Sequence, residues 1–95
     1  MNLVVKKLAS KSIAKTGDWV EKHNTDESGD RWVKKVYLSL GEYAKVGIRL
    51  QSCRNTKLSK KKYHCFTYND KWVVAYRIEG NDFIVCRFIL GAKLT

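Results

Sequence analysis

Seven basic side chains, Lys45, Arg49, Arg54, Lys57, Lys60, Lys61 and Lys62, fall between Glu42 and Asp70 with no acid among them, and all nine Asp and Glu lie outside that stretch. Like charges set so close repel, so the block is costly to hold together unless an anion lies beside it, most simply a phosphate backbone. His64 follows at once and is the side-chain type that exchanges a proton near neutral pH. Arg77 and Arg87 stand midway along apolar stretches, where a charge needs a reason. Together these residues suit binding and charge stabilisation at a phosphate. Two plainer readings stand beside this one: Lys60 to Lys62 as solvated gatekeepers of an apolar strand, and His64 as an ordinary strand residue.

The composition narrows the partners. At 95 residues and a formal charge of +10, the chain reads as a single domain over 1–95 whose target is RNA, DNA, a ribosome, an anionic membrane or an acidic protein tail. An apolar fraction of 44% with three Trp, five Tyr and three Phe is ample for a packed core and argues against disorder. Cys53, Cys65 and Cys86 form no C-x-x-C pair, so the expectation is reduced thiols rather than a disulfide framework, and neither a metal site nor a cofactor is expected. The start has no apolar run fit for a signal peptide, and nowhere do eighteen apolar residues follow one another. The expected location is therefore the cytoplasm, with no membrane partner.

The elements that must position these residues follow from periodicity. Leu3 to Val5 reads as an edge strand. Ala9 to His23 reads as a helix, weak around Gly17. A polar loop over Asn24 to Asp30 offers Ser28 or Asp30 as a cap. Val33, Val36, Tyr37, Leu40 and Ala44 recur at helical spacing, giving a second helix from about Asp30 to Ala44 whose end frays at Gly41 and Gly47. The segment up to Lys60 reads as irregular. The period then changes to two over Lys62 to Tyr68, Lys71 to Ile78 and Phe83 to Leu90, an antiparallel meander turning at Asn69-Asp70 and Gly80-Asn81-Asp82.

A two-residue first loop puts Lys62 opposite Arg77 and His64 opposite Ala75; a three-residue second loop puts Arg87 opposite Ala75. One face then collects Tyr63, Cys65, Trp72, Val74, Tyr76, Ile78, Ile84, Cys86 and Phe88. A shorter second loop would set Arg87 among those apolar residues, where an unpaired charge costs several kcal/mol. Lys62, His64, Arg77 and Arg87 accordingly gather on the face that the helices leave open. The expected class is α+β: a short N-terminal strand and two helices packed on an antiparallel meander of three to four strands.

That order, with the ending Trp72-Val73-Val74-Ala75-Tyr76-Arg77-Ile78-Glu79-Gly80 and Phe83-Ile84-Val85-Cys86-Arg87-Phe88-Ile89-Leu90-Gly91-Ala92-Lys93, resembles the RelE/ParE superfamily of bacterial type II toxin–antitoxin toxins. The shared pattern is an aromatic strand ending in Tyr-Arg-Ile/Val, an acidic Gly turn, and an apolar strand closing on Gly-x-Arg/Lys. In the RelE branch such toxins enter the ribosomal A site and cut mRNA by promoting attack of a ribose 2′-OH on the adjacent phosphate. The resemblance implies that Lys62, Arg77 and Arg87 stabilise charge, that His64 moves a proton, and that Lys60, Lys61, Lys62, Arg54, Lys57 and Lys93 bind nucleic acid. It also implies a cognate antitoxin that covers the basic sheet face and cancels its charge.

Two positions depart from the family's ribonucleases. Val73 stands where they commonly carry Arg, and no His or Tyr follows Lys93. Both favour the ParE branch, which inhibits DNA gyrase without nuclease chemistry. A third possibility is a small nucleic-acid-binding module in which Tyr63, Phe66 and Tyr68 stack on bases.

Overall fold

The computed structural model describes residues 1–24, 27–47, 53 and 55–94, with side chains of the last segment through Ala92. Arg49 and Arg54 lie outside the described residues, as does the side chain of Lys93. The elements are β1 (Asn2–Val5), α1 (Lys7–His23), α2 (Ser28–Val46), α3 (Thr56–Lys60), β2 (His64–Tyr68), β3 (Trp72–Glu79) and β4 (Asp82–Leu90), followed by a 3-10 turn at Gly91–Leu94. The class is α+β as expected, but the four-stranded sheet is mixed. Its order is β1-β4-β3-β2, and β1 runs parallel to β4. A parallel neighbour needs a crossover, which the α1–α2 hairpin supplies.

The helical faces match the periodicity. Ala9 and Ile13 of α1 and Val36, Leu40 and Ala44 of α2 are buried against Phe66, Val74, Tyr76, Phe83, Val85 and Phe88 of the sheet, with Val33 and Tyr37 half-buried beside them. Rings fill the centre: Tyr76 stacks on Phe83 at 4.5 Å between centroids, and Trp72 on Phe88 at 5.1 Å.

Four local expectations need correction. Helix α1 is unbroken at Gly17, which is buried, because the glycine serves the α1–α2 crossing. Helix α2 runs through Gly41 and ends at Gly47, whose φ of 64° is left-handed and whose N–H donates to the Tyr43 carbonyl. Neither Ser28 nor Asp30 is its cap: Glu27 holds that position with φ 67° and no side-chain cap bond, while the Ser28 hydroxyl donates to the Val20 carbonyl of α1. The stretch before Lys60 is not wholly irregular, because Asn55 accepts from the Lys57 and Leu58 amides and starts α3, an N-cap signal overlooked among the charges.

The cysteine expectation also fails. Cys53 and Cys65 form a disulfide with Cα atoms 4.9 Å apart, leaving Cys86 as the buried free thiol. With Leu58 and Ala75 they make a second, smaller core, with Tyr63 and Val73 packed against it, on the side of the sheet away from α1 and α2. The bridge closes a separation of 12 residues, so Cys53→Ser combined with Cys65→Ser is expected to lower unfolding free energy by about 3 kcal/mol on chain entropy. Urea unfolding of the oxidised protein and the double variant measures it; equal midpoints would show that the bridge contributes nothing.

Register decides which residues share a face, and here the meander differs from expectation at both turns. Asn69 and Asp70 are both left-handed and the Lys71 amide donates to the Tyr68 carbonyl, as a two-residue turn requires. The ladder nevertheless resumes at Trp72, opposite Tyr68, so Lys71 is an extra residue and β2 slips by one. His64 therefore pairs with Tyr76 rather than Ala75, and Lys62 precedes the strand instead of facing Arg77. Every side chain of β2 changes face as a result. The second turn is short, with Glu79 opposite Asp82, yet Arg87 still reaches Ala75 because a bulge inserts Cys86 between the pairs Tyr76–Val85 and Ala75–Arg87. The expected Arg87 pairing is thus right, and its cause is a bulge rather than a longer loop.

A candidate anion site on the second sheet face

On β3 the alternation sends Trp72, Val74, Tyr76 and Ile78 toward the helices and Val73, Ala75 and Arg77 to the second face, where Arg87 joins them through its pairing with Ala75. Arg77 and Arg87 line one hollow of about 230 Å³. Its other walls are Lys6, Lys7 and Leu8, Lys61, Tyr63 and Cys86.

Three separate pieces of backbone bring the cations together. The amide of Lys6 donates to the Val85 carbonyl, continuing the β1–β4 ladder one step and setting Lys6 and Lys7 beside the bulge. Helix α1 starts there with no side-chain cap and no acid in its first turn, so its positive dipole end adds to the lysines. From the other side, α3 ends at Lys60, and Lys62 takes a left-handed φ of 60° with its amide on the Ser59 carbonyl. That tight turn places Lys61 at the hollow, while Lys57, Lys60 and Lys62 stand exposed outside its lining.

Among the described residues no carboxylate lies within 4 Å of Lys6, Lys7, Lys61 or Arg87. Glu79 approaches Arg77, with Oε1 3.1 Å from Nε. The same Nε is buried and makes no hydrogen bond, so the two groups touch without aligning. Alignment governs the hydrogen bond and not the Coulomb attraction, so Glu79 offsets part of the charge of Arg77, screened by water because its side chain is 60% exposed. Five cations therefore line a hollow in which Glu79, beside Arg77, is the one carboxylate within 4 Å of them among the described residues, an excess of positive charge that draws a polyanion.

Tyr63 is the uncharged polar group among them. Burial raises its phenol above the ordinary 10.0, the neighbouring Cys86 thiol adds to the rise through charge and a hydrogen bond, and Arg77 and Arg87 pull the other way. The net upward direction keeps the phenol protonated, hence a donor, throughout the neutral range. Because the folded value lies above the unfolded one, Tyr63 stabilises the fold below pH 10 and loses that contribution as pH rises past it. Tyr63→Phe is expected to flatten the alkaline limb of stability against pH without altering it near neutrality; superimposable limbs would refute the shift.

His64 lies elsewhere. Its ring packs 5.6 Å from that of Tyr76, on the opposite side of the sheet from the two arginines, so it is not the proton-moving neighbour that the unslipped register implied. Nor do Tyr63, Phe66 and Tyr68 form one stacking platform. Phe66 is buried and stacks on Tyr43 at 3.8 Å, Tyr68 packs near Phe88, and Tyr63 belongs to the other face. Lys6 and Lys7 are the cationic lining residues missed in the sequence, whereas Tyr63, read there as a base-stacking ring, lines the hollow instead. Lys6 and Lys7 carry a weak signal, a basic pair between a strand and a helix, but nothing local says that β1 pairs with β4.

Among the described residues no group of three or more potential metal ligands occurs, and no helix is long and apolar enough to cross a membrane. No protein-family model and no curated protein matches the chain.

Proposed function

We propose that the chain is a toxin of the RelE/ParE kind that binds RNA phosphate in the hollow and blocks translation, by cleaving mRNA or by occupying its path. The observation that supports this most is the convergence of Lys6, Lys7, Lys61, Arg77 and Arg87 on one hollow with an excess of positive charge. In the cleavage form of this reading, the ribose 2′-oxygen bonds to phosphorus as the bond to the 5′-oxygen breaks. The arginines hold the non-bridging oxygens, the 2′-OH proton passes to solvent water, and the Tyr63 hydroxyl gives its proton to the departing 5′-oxygen and regains one from water. The partners are mRNA on the ribosome and a cognate antitoxin that covers the hollow. The location is the cytoplasm, where the Cys53–Cys65 bridge would meet reducing conditions; activity must then persist in the reduced protein.

One observation favours a second reading. Among the described residues the lining of the hollow has no imidazole or carboxylate to take the 2′-OH proton, which suits a gyrase-inhibiting toxin that binds without cutting. Induced expression in bacteria, with translation and plasmid supercoiling followed in parallel, separates the two. Rapid loss of protein synthesis supports the translation toxin, cleaved message its nuclease form, and DNA damage with intact message the gyrase inhibitor. Unimpaired growth would reject both toxin readings.

A further inference from the structure

A second concave surface lies on the helix side and shares no residue with the anion hollow. It is a groove of about 590 Å³ between α1, the start of β3 and the end of β4, with Trp19, Val20, Trp32, Trp72 and Leu90 as its apolar walls. Trp19 is 59% exposed, an unusual state for so large an apolar ring. Lys15 and Lys71 stand at the rim. A shallower depression continues the groove through Val20 and Trp32 and adds Arg31 and Lys35. Among the described residues neither has an Asp or Glu in its lining, and no carboxylate lies within 4 Å of the four cations. The cleft between α1 and α2 differs, for there Asp18, Glu21 and Asp30 face Lys34.

We infer that this groove is a docking site for an acidic peptide segment of another protein, its apolar side chains seated among Trp19, Trp32 and Trp72 and its carboxylates on Lys15, Lys71, Arg31 and Lys35. Charge complementarity selects the acid, since four cations with no described carboxylate within 4 Å attract an anionic segment and repel a basic one. Ring geometry selects a peptide over a nucleic acid. Successive stacked bases need a row of parallel open faces, but Trp19 has given one face to His23 at 4.3 Å and Trp72 one to Phe88 at 5.1 Å. Trp32 meets both Trp72 and Phe88 edge-on. With Val20 and Leu90 between them, the rings form a corrugated apolar trough, which takes leucine- or phenylalanine-like side chains better than stacked bases. Exposed tryptophans in such troughs are the residue type that dominates binding at protein interfaces. The inference does not depend on the proposed function, because it concerns different residues on a different face.

The test is a selection of short random peptides displayed against the folded full-length protein, followed by anisotropy titrations of the labelled winners. Winners are expected to combine an excess of Asp and Glu with two or more aromatic or branched aliphatic residues. Trp19→Ala should weaken them by roughly tenfold or more, and Lys15→Glu with Lys71→Glu should weaken them further at low salt than at high salt. Arg77→Ala with Arg87→Ala should leave them unchanged, which separates this site from the anion hollow. Because Trp19 is exposed, an unaltered melting temperature in its variant serves as the fold control. Three outcomes of the peptide selection would overturn the inference: no enrichment, winners without acidic residues, or winners indifferent to Trp19→Ala. A single-stranded oligonucleotide whose binding is lost with Trp19→Ala and which displaces the peptides would overturn it in favour of a base-binding surface.

Discussion

Alanine at both Arg77 and Arg87 is expected to abolish growth arrest on induced expression and to weaken binding of a single-stranded RNA oligonucleotide by about 100-fold or more. Each guanidinium offers charge-assisted hydrogen bonds of about 1.5–3 kcal/mol to a phosphate, and the two line the same hollow. Lys6, Lys7 and Lys61 remain, so residual affinity should be weak and less salt-dependent, the slope of log K against log salt falling by about 1.4 for two lost contacts to a single strand. The fold should survive. Neither arginine belongs to the main core, and the Arg77 side chain is 39% exposed with only an unaligned carboxylate beside it. Titrations at several salt concentrations, with thermal unfolding as control, check this. Full affinity with an unchanged slope would show that the second sheet face is not the working surface, and His64→Ala provides the contrast, because a ring packed on Tyr76 across the sheet should leave RNA binding untouched.

How far these residues were legible in the sequence depends on the range of the interaction that placed them. The apolar stripe from Val33 to Ala44 needs only helical periodicity, and it packs as read. Arg77 and Arg87 come together because alternation along β3 and β4 and the cost of burying a charge are both local arguments, even though a bulge at Cys86 does the work assigned to a longer loop. His64 was misplaced by a single residue. Lys71 completes the Asn69-Asp70 turn without joining the ladder until Trp72, and a period of two converts that one-residue slip into a change of face. Lys6 and Lys7 are weakly signalled for a different reason: their position rests on a parallel pairing between residues about 80 apart, which the basic pair itself does not encode. The Cys53–Cys65 bridge has the same character, since three cysteines give no pairing rule until the chain between them folds back through α3.

Gly29→Ala is expected to be the most damaging small substitution in the α1–α2 pair, and a set of three glycines tests why. A Cβ at Gly29 would collide with the carbonyl oxygen of Gly17 and lie 3.0 Å from the Glu21 Cβ and 3.1 Å from the Gly17 carbonyl carbon. Backbone cannot rotate aside, so the helices must separate at their crossing and draw Ile13 and Val36 away from the sheet. Alanine's better helix propensity returns at most about 1 kcal/mol, against overpacking that costs about 1–3 kcal/mol where side chains can adjust and more where they cannot. A net loss of about 2–3 kcal/mol is expected, which in a domain this small lowers the melting temperature by roughly 10–20 °C. At Gly17 the new Cβ would meet Val33 Cγ2 at 2.6 Å and the Gly29 carbonyl oxygen at 3.4 Å; the valine methyl can move, so Gly17→Ala should cost less. At Gly41 no described residue beyond the local helix backbone lies within 4 Å of the new Cβ, and Gly41→Ala, in the interior of α2, should stabilise by up to about 1 kcal/mol. The ordering Gly41 above wild type, Gly17 below it and Gly29 lowest follows from the crossing alone, and melting curves in which Gly29→Ala matched Gly41→Ala would mean that the two helices do not approach as closely as the paired glycines allow.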